Sequence, residues 1–300
     1  MTSPEYLSYI QLYAAHNEKR ILDIVKNKCI AEEAENLDEI LKSWQLAKES
    51  LKQIEEQDSG AADNCEISDL TSPLIEQIKK NPSIRNTFSK YNIDFKMVEL
   101  DNMIAVQRQV LLNHAEKIAQ NIPENPTEDD LIRFCLIPGK EVPISKPERN
   151  NAKSWTFSSP NKDFRFLGGF LKKRVTTDDY ELTNVGGVPT HALVLFVGYG
   201  IDCMNAFSIN NRIILTNGFH RAYALRKKGI KKIPLLLKII TNTDSFKDRV
   251  KGLKKEYLLN HQRPVLIKDF FNDDLVRIFK RKPTNTVVNI SWDSKKENIG

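Results

Sequence analysis

Long apolar runs are missing from this chain of 300 residues. No stretch approaches the ~18 consecutive apolar residues that span a bilayer, so the sequence predicts no transmembrane helix. The opening residues, Met-Thr-Ser-Pro-Glu, lack the basic and apolar segments of a secretion signal. Charged residues make up 28% of the chain and apolar residues 40%, which is enough to fill a core. We therefore expect a soluble protein with no membrane partner.

Closely spaced cysteine and histidine ligands are also lacking. The cysteines form no CxxC pair and the histidines show no HxH or HExxH spacing, so the sequence predicts neither a metal site nor a disulfide framework. Scattered cysteines are typical of a reducing compartment, and we expect a cytoplasmic protein. The four cysteines are Cys29, Cys65, Cys135 and Cys203.

Acidic residues are few in the second half of the chain. Residues 140–300 hold 30 Lys and Arg against 15 Asp and Glu, a net charge of +15, which leaves residues 1–139 with 15 basic and 24 acidic residues, a net charge of −9. A basic surface attracts phosphates, nucleic acid or an acidic protein surface. Two interpretations stay open: the basic half binds nucleic acid, or the two halves neutralise each other within the protein.

Apolar spacing divides the chain into two predicted domains and a linker. Residues 1–138 are predicted to form an acidic, mainly helical domain, residues 139–160 a proline-rich linker, and residues 161–300 a basic domain of mixed strands and helices. The predicted fold class is therefore α+β (mixed α/β). The predicted helices cover 4–30, 37–54, 73–80, 82–90, 101–119, a segment that starts near 127, 219–228, 246–259 and part of 265–279; the predicted strands cover 95–100, 155–157, 164–167, 193–197, 212–216, 233–240 and 286–292.

The most informative segment is the predicted strand, turn, helix and strand between residues 211 and 240. Asn217-Gly218 permits a tight turn, and the helix after it has His220 and Arg221 in its first turn. A helix N-terminus offers unpaired N–H groups and the positive end of the helix dipole, so it disfavours cations and attracts anions. Arg221 could clamp a bound phosphate with two donors, and Gly218 would let the backbone approach it closely. The alternative is a surface pair of basic residues on an ordinary helix.

The pattern Asn217-Gly-Phe-His-Arg-Ala-Tyr-Ala-Leu225, followed by Lys-Lys-Gly-Ile and an Ile-Pro strand, resembles the GxHRxxA signature of the ParB/sulfiredoxin-like superfamily. The resemblance covers about thirty residues. It implies a ParB/sulfiredoxin-like domain in the C-terminal half that binds a nucleotide, ATP or CTP with Mg²⁺. The implied phosphate contacts are Asn217, Gly218, Phe219, His220 and Arg221.

Two features limit what the resemblance implies about chemistry. Phe219 stands where sulfiredoxin has its catalytic cysteine and where partition proteins have glutamate. Asp202 lies in the loop after Gly198-Tyr-Gly200, where its carboxylate could hold Mg²⁺ or act as a base, or could simply cap the loop. We expect a protein that binds a nucleotide or another phosphorylated ligand, with hydrolysis or phosphoryl transfer left open. The alternative is a non-catalytic module that binds nucleic acid, including DNA, or a protein.

Overall fold

The computed structural model describes residues 6–137, 145–179, 187–246 and 248–297. Within these residues helices and strands mix, and the predicted α+β class is confirmed. None of the helices in the described ranges is long and apolar enough to cross a membrane. The α-helices are α1 (Glu18–Lys28), α2 (Ala31–Glu35), α3 (Leu37–Gln57), α4 (Leu74–Lys79), α5 (Pro82–Phe88), α6 (Leu112–Ala119), α7 (Glu128–Leu136), α8 (Phe219–Lys227) and α9 (Lys255–Asn260).

The strands are distributed along the whole chain. Short 3₁₀ turns lie between them at Tyr13–Ala15, Ala61–Asp63, Thr177–Asp179, Thr243–Ser245 and Ile267–Phe271. The strands are β1 (Leu7–Gln11), β2 (Ile67–Asp69), β3 (Asn92–Glu99), β4 (Ile104–Ala105), β5 (Gln109–Leu111), β6 (Lys146–Asn151), β7 (Ser154–Ser159), β8 (Phe164–Lys172), β9 (Ala192–Tyr199), β10 (Asn205–Ile209), β11 (Arg212–Asn217), β12 (Lys232–Ile239), β13 (Arg249–Val250), β14 (Leu253–Lys254), β15 (Arg277–Arg281) and β16 (Thr286–Ser291).

The chain forms two compact units. Unit 1 comprises Met1–Pro138 and Ile201–Pro283, and unit 2 comprises Gly139–Gly200 and Thr284–Gly300. This division differs from the predicted one, in which residues 1–138 stood alone. The reason is strand pairing over long sequence separations, because β3 pairs along its whole length with β12.

A six-stranded sheet in the order β2-β3-β12-β10-β11-β4 is the centre of unit 1. The pairs β10–β12 and β11–β4 are parallel, whereas β10–β11 and β12–β3 are antiparallel. β12 is buried at six successive positions, as expected of an interior strand with both faces covered. A second sheet, β15-β1-β5, joins the two ends of the unit's sequence.

The prediction that residues 1–138 are mainly helical was wrong in two places. Residues 7–11 form β1, which pairs with β15 and β5, so among the described residues of the predicted helix over 4–30 only Glu18–Lys28 is α-helical. The predicted helix from residue 101 is also absent before Leu112, because Ile104 and Ala105 pair with β11. In contrast, the predicted helices over 37–54 and from Thr127 are confirmed as α3 and α7.

The predicted basic helix over 246–259 was also wrong. Lys251 and Gly252 both have positive φ, 48° and 88°, which a helix cannot accommodate. They connect β13 and β14 as a two-residue hairpin, and α9 begins only at Lys255. The region 265–279 forms a 3₁₀ turn at Ile267–Phe271 and then the start of β15.

Unit 2 consists of a three-stranded sheet, β16-β7-β6, and a two-stranded ribbon, β8-β9. The predicted linker over 139–160 is corrected here, because its described part contains β6 and β7, an antiparallel pair; residues 139–144 of that linker lie outside the described residues. The strands predicted over 155–157 and 164–167 are present as parts of β7 and β8, but they do not pair with each other. β7 pairs with β6 and β16, whereas β8 pairs with β9.

Oppositely charged residues of the two sequence halves meet within unit 1. Asp58 pairs with Arg263 and Lys268 at 3.0 and 2.7 Å. These contacts favour the interpretation that the acidic and basic halves partly neutralise each other, since six of the 30 cations of residues 140–300 pair with carboxylates of residues 1–139. Further pairs of this kind are Arg212–Asp63, Arg226–Asp101, Lys227–Glu116 and Lys232–Glu66.

Candidate functional site

The predicted strand, turn, helix and strand are all present in unit 1. β11 ends at Asn217, Gly218 is the N-cap of α8, and α8 is followed by β12. β11 is buried because it lies between β10 and β4. The turn follows the last residue of β11 and therefore lies where the sheet ends. α8 packs against α6, so the first turn of α8 has a second helix beside it.

Gly218 has a left-handed conformation that only glycine adopts without strain. Its φ is 101°. A Cβ at this position would lie 2.4 Å from Cγ of Met204, a fully buried side chain. We predicted that Gly218 admits a ligand to the backbone, whereas in the structure the space beside its Cα is filled by Met204.

Asn217 holds the loop that precedes β10. Its side-chain Nδ2 donates hydrogen bonds to the carbonyls of Ile201 and Cys203, at 3.2 and 3.0 Å. Met204 N–H donates to the carbonyl of Cys135 at 2.8 Å. Asn217 thus fixes the neighbouring loop against the turn.

The guanidinium of Arg221 is mostly buried and binds other groups of the protein. Its Nη1 donates to the carbonyl of Phe134 at 3.1 Å and lies 3.4 Å from those of Cys135 and Asp202, while Nη2 is 2.7 Å from the Asp202 carboxylate. The carbonyls of residues 134 and 135 belong to the end of α7, where the helix dipole favours a cation. Only 11% of the Arg221 side chain is exposed, against 66% for Asp202.

The arginine therefore bridges the two segments through which the chain leaves and re-enters unit 1. Residues 134 and 135 precede the exit after Pro138, and Asp202 follows the return at Ile201. The exposed carboxylate of Asp202 occupies one edge of the guanidinium, where an anionic ligand would compete with it.

The two histidines at this end of α8 form a ring pair. His114 of α6 and His220 have ring centroids 5.0 Å apart with an interplanar angle of 79°. Burial lowers the pKa of His114 below its usual value; Asp202 acts against this shift, and Lys117 and Arg221 reinforce it. A neutral imidazole can donate one hydrogen bond and accept another.

Phe219 is a core residue and contributes no side chain to the surface of the turn. It is 3% exposed, and the ammonium of Lys251 lies 5.4 Å from its ring centroid. Phe219 can therefore reach a ligand only through its backbone N–H. Its burial explains why an apolar residue stands at this position of the motif.

The structure gives Asp202 and Cys203 different environments. Asp202 is exposed and pairs with Arg221. Within the described ranges no group of three or more metal-ligating residues is present. Cys203 is fully buried, and burial raises the pKa of its thiol to about 12. It therefore packs as a small core residue and is unsuited to act as a nucleophile at neutral pH.

Sequence reasoning missed three partners of the turn. Met204 contacts Gly218 from 14 positions away in the sequence, and His114 contacts His220 from 106 positions away. The α7 carbonyls that Arg221 binds are 86 and 87 positions away from it. Local spacing carries no information about such contacts. The basic residues in the first turn of α8 were the available signal, since they required some negative partner.

The chain was also compared with known proteins. No family model, no curated protein sequence and no solved structure matches it.

Proposed function

We propose that this protein binds a nucleotide or another phosphorylated ligand at the N-terminus of α8. The proposal rests on the resemblance of residues 217–225 to the ParB/sulfiredoxin-like signature and on one observation. α8 begins at Gly218 without a side-chain cap, and its first turn carries His220 and Arg221. Uncapped N–H groups, the helix dipole and these side chains together favour an oxyanion.

On ligand binding, Arg221 would exchange the Asp202 carboxylate for the phosphate of the ligand. It already holds a carboxylate, Asp202, at 2.7 Å, so its outer edge is shaped for an oxyanion while its inner edge stays on the α7 carbonyls. A phosphate that replaces Asp202 would gain a charge-assisted hydrogen bond without losing the inner contacts. The rings of His114 and His220 lie 5.0 Å apart at the first turn of α8, and their imidazoles would supply further hydrogen bonds.

Binding is the core of the proposal, and catalysis is a separate question. The described residues around the turn include one exposed carboxylate, Asp202, which could hold Mg²⁺ or act as a base when it leaves Arg221. ATP and CTP with Mg²⁺ are the first ligands to test. Because all four cysteines are free thiols, a reducing compartment such as the cytoplasm fits the proposal.

The test is thermal unfolding with ATP, CTP and GTP, each with and without Mg²⁺, on the wild type and three variants. A ligand at about 100 times its dissociation constant stabilises the native state by about 2.7 kcal/mol. Arg221→Ala should weaken binding by more than about tenfold, because it removes a charge-assisted donor. Lys227→Ala is the matched control, since Lys227 is an exposed cation in the last turn of the same helix.

Asp202→Asn distinguishes the two roles of the carboxylate. If Asp202 only competes with the ligand for Arg221, the variant should bind more tightly, with or without Mg²⁺. If Asp202 holds the ion, the Mg²⁺-dependent part of the binding should disappear. Shifts are compared with each variant's own midpoint, because Arg221→Ala also removes contacts to α7. Binding that is equal in the wild type and Arg221→Ala would refute the site.

The second candidate is nucleic-acid binding through the basic C-terminal half. Lys173 and Arg174 are exposed at the end of β8 and favour it. Contacts to phosphates alone would be strongly salt-dependent and would survive His220→Ala. Filter binding of single- and double-stranded DNA and RNA at two salt concentrations separates this candidate from the first.

A further inference from the structure

A cleft of about 680 Å³ opens in unit 2, and its volume falls within the range of about 300–1,000 Å³ that is typical of ligand sites. We call it the aromatic cleft. Its walls come from β7, from β9 and from the end of β16, so the cleft is formed within one compact unit. Its main lining side chains are Trp155, Phe157, Leu193, Leu195, Ile290 and Trp292.

The aromatic rings of the cleft present flat faces. Trp155 and Phe157 lie two positions apart in β7, so their side chains point to the same face of the sheet. Their rings are nearly parallel, with an interplanar angle of 24° and centroids 6.3 Å apart. Trp292 follows β16, where its N–H donates to the carbonyl of Lys153 at 3.0 Å, and its side chain is 49% exposed. A flat ligand can therefore lie against these rings.

The lining of the cleft suits planar rings and offers little hydrogen-bond selectivity. Among the described lining residues, Ser291 supplies the one hydroxyl, and none is charged. Every nucleobase has a π face, so stacking on aromatic side chains binds bases with little dependence on their identity. This lining would therefore hold bases by stacking and would tolerate different sequences.

Cations border the cleft on the side of the three-stranded sheet and on the side of the β8-β9 ribbon. Arg149 lies directly opposite Trp155 in the register of β6 and β7, so the two side chains share a face. Lys173 and Arg174 directly follow β8, at the end of the ribbon where Leu193 lies. All three cations are exposed. We call them the rim cations.

The rim cations differ from neighbours that already hold carboxylates. The ion pairs in the described part of unit 2 are Lys153–Asp293, Arg165–Asp163, Lys172–Asp179 and Lys295–Glu297. None of these described pairs includes a rim cation. Glu148, the carboxylate next to Arg149 in the sequence, lies opposite Thr156 and so on the other face of the sheet. The rim of the cleft therefore carries positive charge that attracts phosphates.

Flat apolar rings and rim cations together select one class of occupant. An aliphatic chain would gain nothing from flat rings, and an acidic protein surface would gain nothing from an apolar interior. A single strand of nucleic acid uses both features, because its unpaired bases stack on aromatic rings and its phosphates follow the same backbone. In a duplex the bases stack on each other, so the rings of the cleft cannot reach them.

We propose that the aromatic cleft binds single-stranded nucleic acid, with bases stacked on its three aromatic rings and phosphates at the rim cations. This inference rests on the second candidate function, to which it adds the site and the single-stranded form of the ligand. It does not depend on the proposed nucleotide site at α8, because every residue of the cleft and its rim belongs to unit 2.

The experiment is a fluorescence titration of the full chain, because two of its three tryptophans line the cleft. Trp44→Phe removes the signal of the third, buried tryptophan, so the remaining emission comes from Trp155 and Trp292. The probes are oligo(dT) and oligo(U) of about ten nucleotides, with a duplex of equal length. We expect the single strands to quench the emission and the duplex to bind at least about tenfold more weakly at the same salt concentration.

Substitutions of Trp292 test the stacking. Trp292→Leu should raise the dissociation constant by about tenfold because the flat ring is lost, whereas Trp292→Phe should keep most of the affinity. Leu46→Ala, at a 65% exposed apolar position on α3 in unit 1, is the control and should change nothing. The anisotropy of a labelled strand measures these constants, since the substitutions remove a fluorophore of the protein.

Substitutions of the cations test the phosphate contacts. Arg149→Gln should reduce the slope of log K against log salt by about 0.7, which is the contribution of one phosphate contact to a single strand. Arg165→Gln is the matched control, since Asp163 already holds Arg165 at 3.1 Å, and it should leave the slope unchanged.

Two results would overturn the proposal in different ways. If neither single strand binds at low salt, the cleft and the second candidate function are both refuted. If the strands bind and Trp292→Leu, shown by circular dichroism to be folded, binds them as the wild type does, only the cleft is refuted. Arg221→Ala should not affect these measurements, so the nucleotide site at α8 is tested separately.

Discussion

His16 is a neutral histidine among cations. Its Nε2 lies 2.5 Å from Nε2 of Gln11. Burial lowers its pKa to about 3, and the charges of Arg108, Arg20, Arg281 and Lys28 act in the same direction. The folded protein therefore keeps His16 uncharged at any pH above about 3, whereas the unfolded chain protonates it near its usual pKa of about 6.5.

This difference predicts a loss of stability in mild acid. Between pH 6.5 and 3 the unfolded state binds the extra proton, so the free energy of unfolding falls as the pH falls. From pH 7.5 to 5 we expect a loss of about 1–2 kcal/mol through His16. Urea unfolding at both pH values measures it. His16→Gln should remove most of this pH dependence, and His191→Gln, a change at an exposed site of unit 2, should retain it.

Gly218 is expected to be intolerant of a side chain for two separable reasons. Gly218→Ala meets the strain of a positive φ and the contact with Met204, whereas Gly229→Ala, at a φ of 82°, meets open space. We expect Gly229→Ala to cost about 1 kcal/mol and Gly218→Ala about 2–3 kcal/mol. Chemical denaturation of the two variants gives the difference. Equal costs would mean that Met204 moves aside freely.

At the scale of elements, an ion pair within the interior fixes the 3₁₀ turn after α9. Arg263 is 1% exposed and binds Asp269 through two donors, at 2.5 and 2.7 Å. Asp269 also accepts the N–H of Leu266 at 2.8 Å, and Arg263 reaches Asp58 beyond the end of α3 at 3.0 Å. One guanidinium thus connects elements that lie about 200 residues apart in the sequence.

Removal of the Asp269 carboxylate should lower the free energy of unfolding substantially. Asp269→Asn leaves the Arg263 charge buried with one carboxylate fewer, so we expect a loss of about 3 kcal/mol in the free energy of unfolding. Glu76→Gln breaks the exposed pair with Lys79 and should leave the free energy of unfolding almost unchanged, because solvent screens that pair. Thermal and urea unfolding compare the two. A loss below about 1 kcal/mol for Asp269→Asn would show that Asp58 alone compensates the charge.

At the scale of the molecule, the chain leaves unit 1 after α7 and returns just before β10. Arg221 binds the carbonyls on both sides of this excursion, so the proposed ligand site lies in unit 1 at the point where the two segments meet. The basic residues of 201–283 and the acidic residues of 1–138 are in the same unit, and their pairing contributes to its cohesion.

Calorimetry should detect the two units separately. We expect two unfolding transitions, because each unit has its own sheets. A nucleotide at about 100 times its dissociation constant should raise only the transition of unit 1, by about 5–10 °C. An equal rise of both transitions, or a single cooperative transition, would contradict independent unfolding of the units.

The sequence by itself determined the elements whose signals are local. α7 was predictable because Thr127 and Asp130 form a capping box within four residues, and the turn at Asn217-Gly218 because Asn-Gly is a typical tight-turn pair. The fold class, and the position of α8 after β11, follow from such signals. Hydrogen bonds in helices and tight turns join residues that are a few positions apart, so short stretches of sequence determine them.

Only the tertiary structure decided which strands exist in residues 1–138 and what the motif residues contact. β1 and β4 are strands because β15 and β11 pair with them, from 270 and about 110 residues away. Likewise, Arg221 binds a carbonyl of α7 and the carboxylate of Asp202 because tertiary packing brings these groups together, which the local sequence spacing does not predict. Strand pairing and burial are non-local, so a short apolar segment takes the structure that its distant neighbours impose.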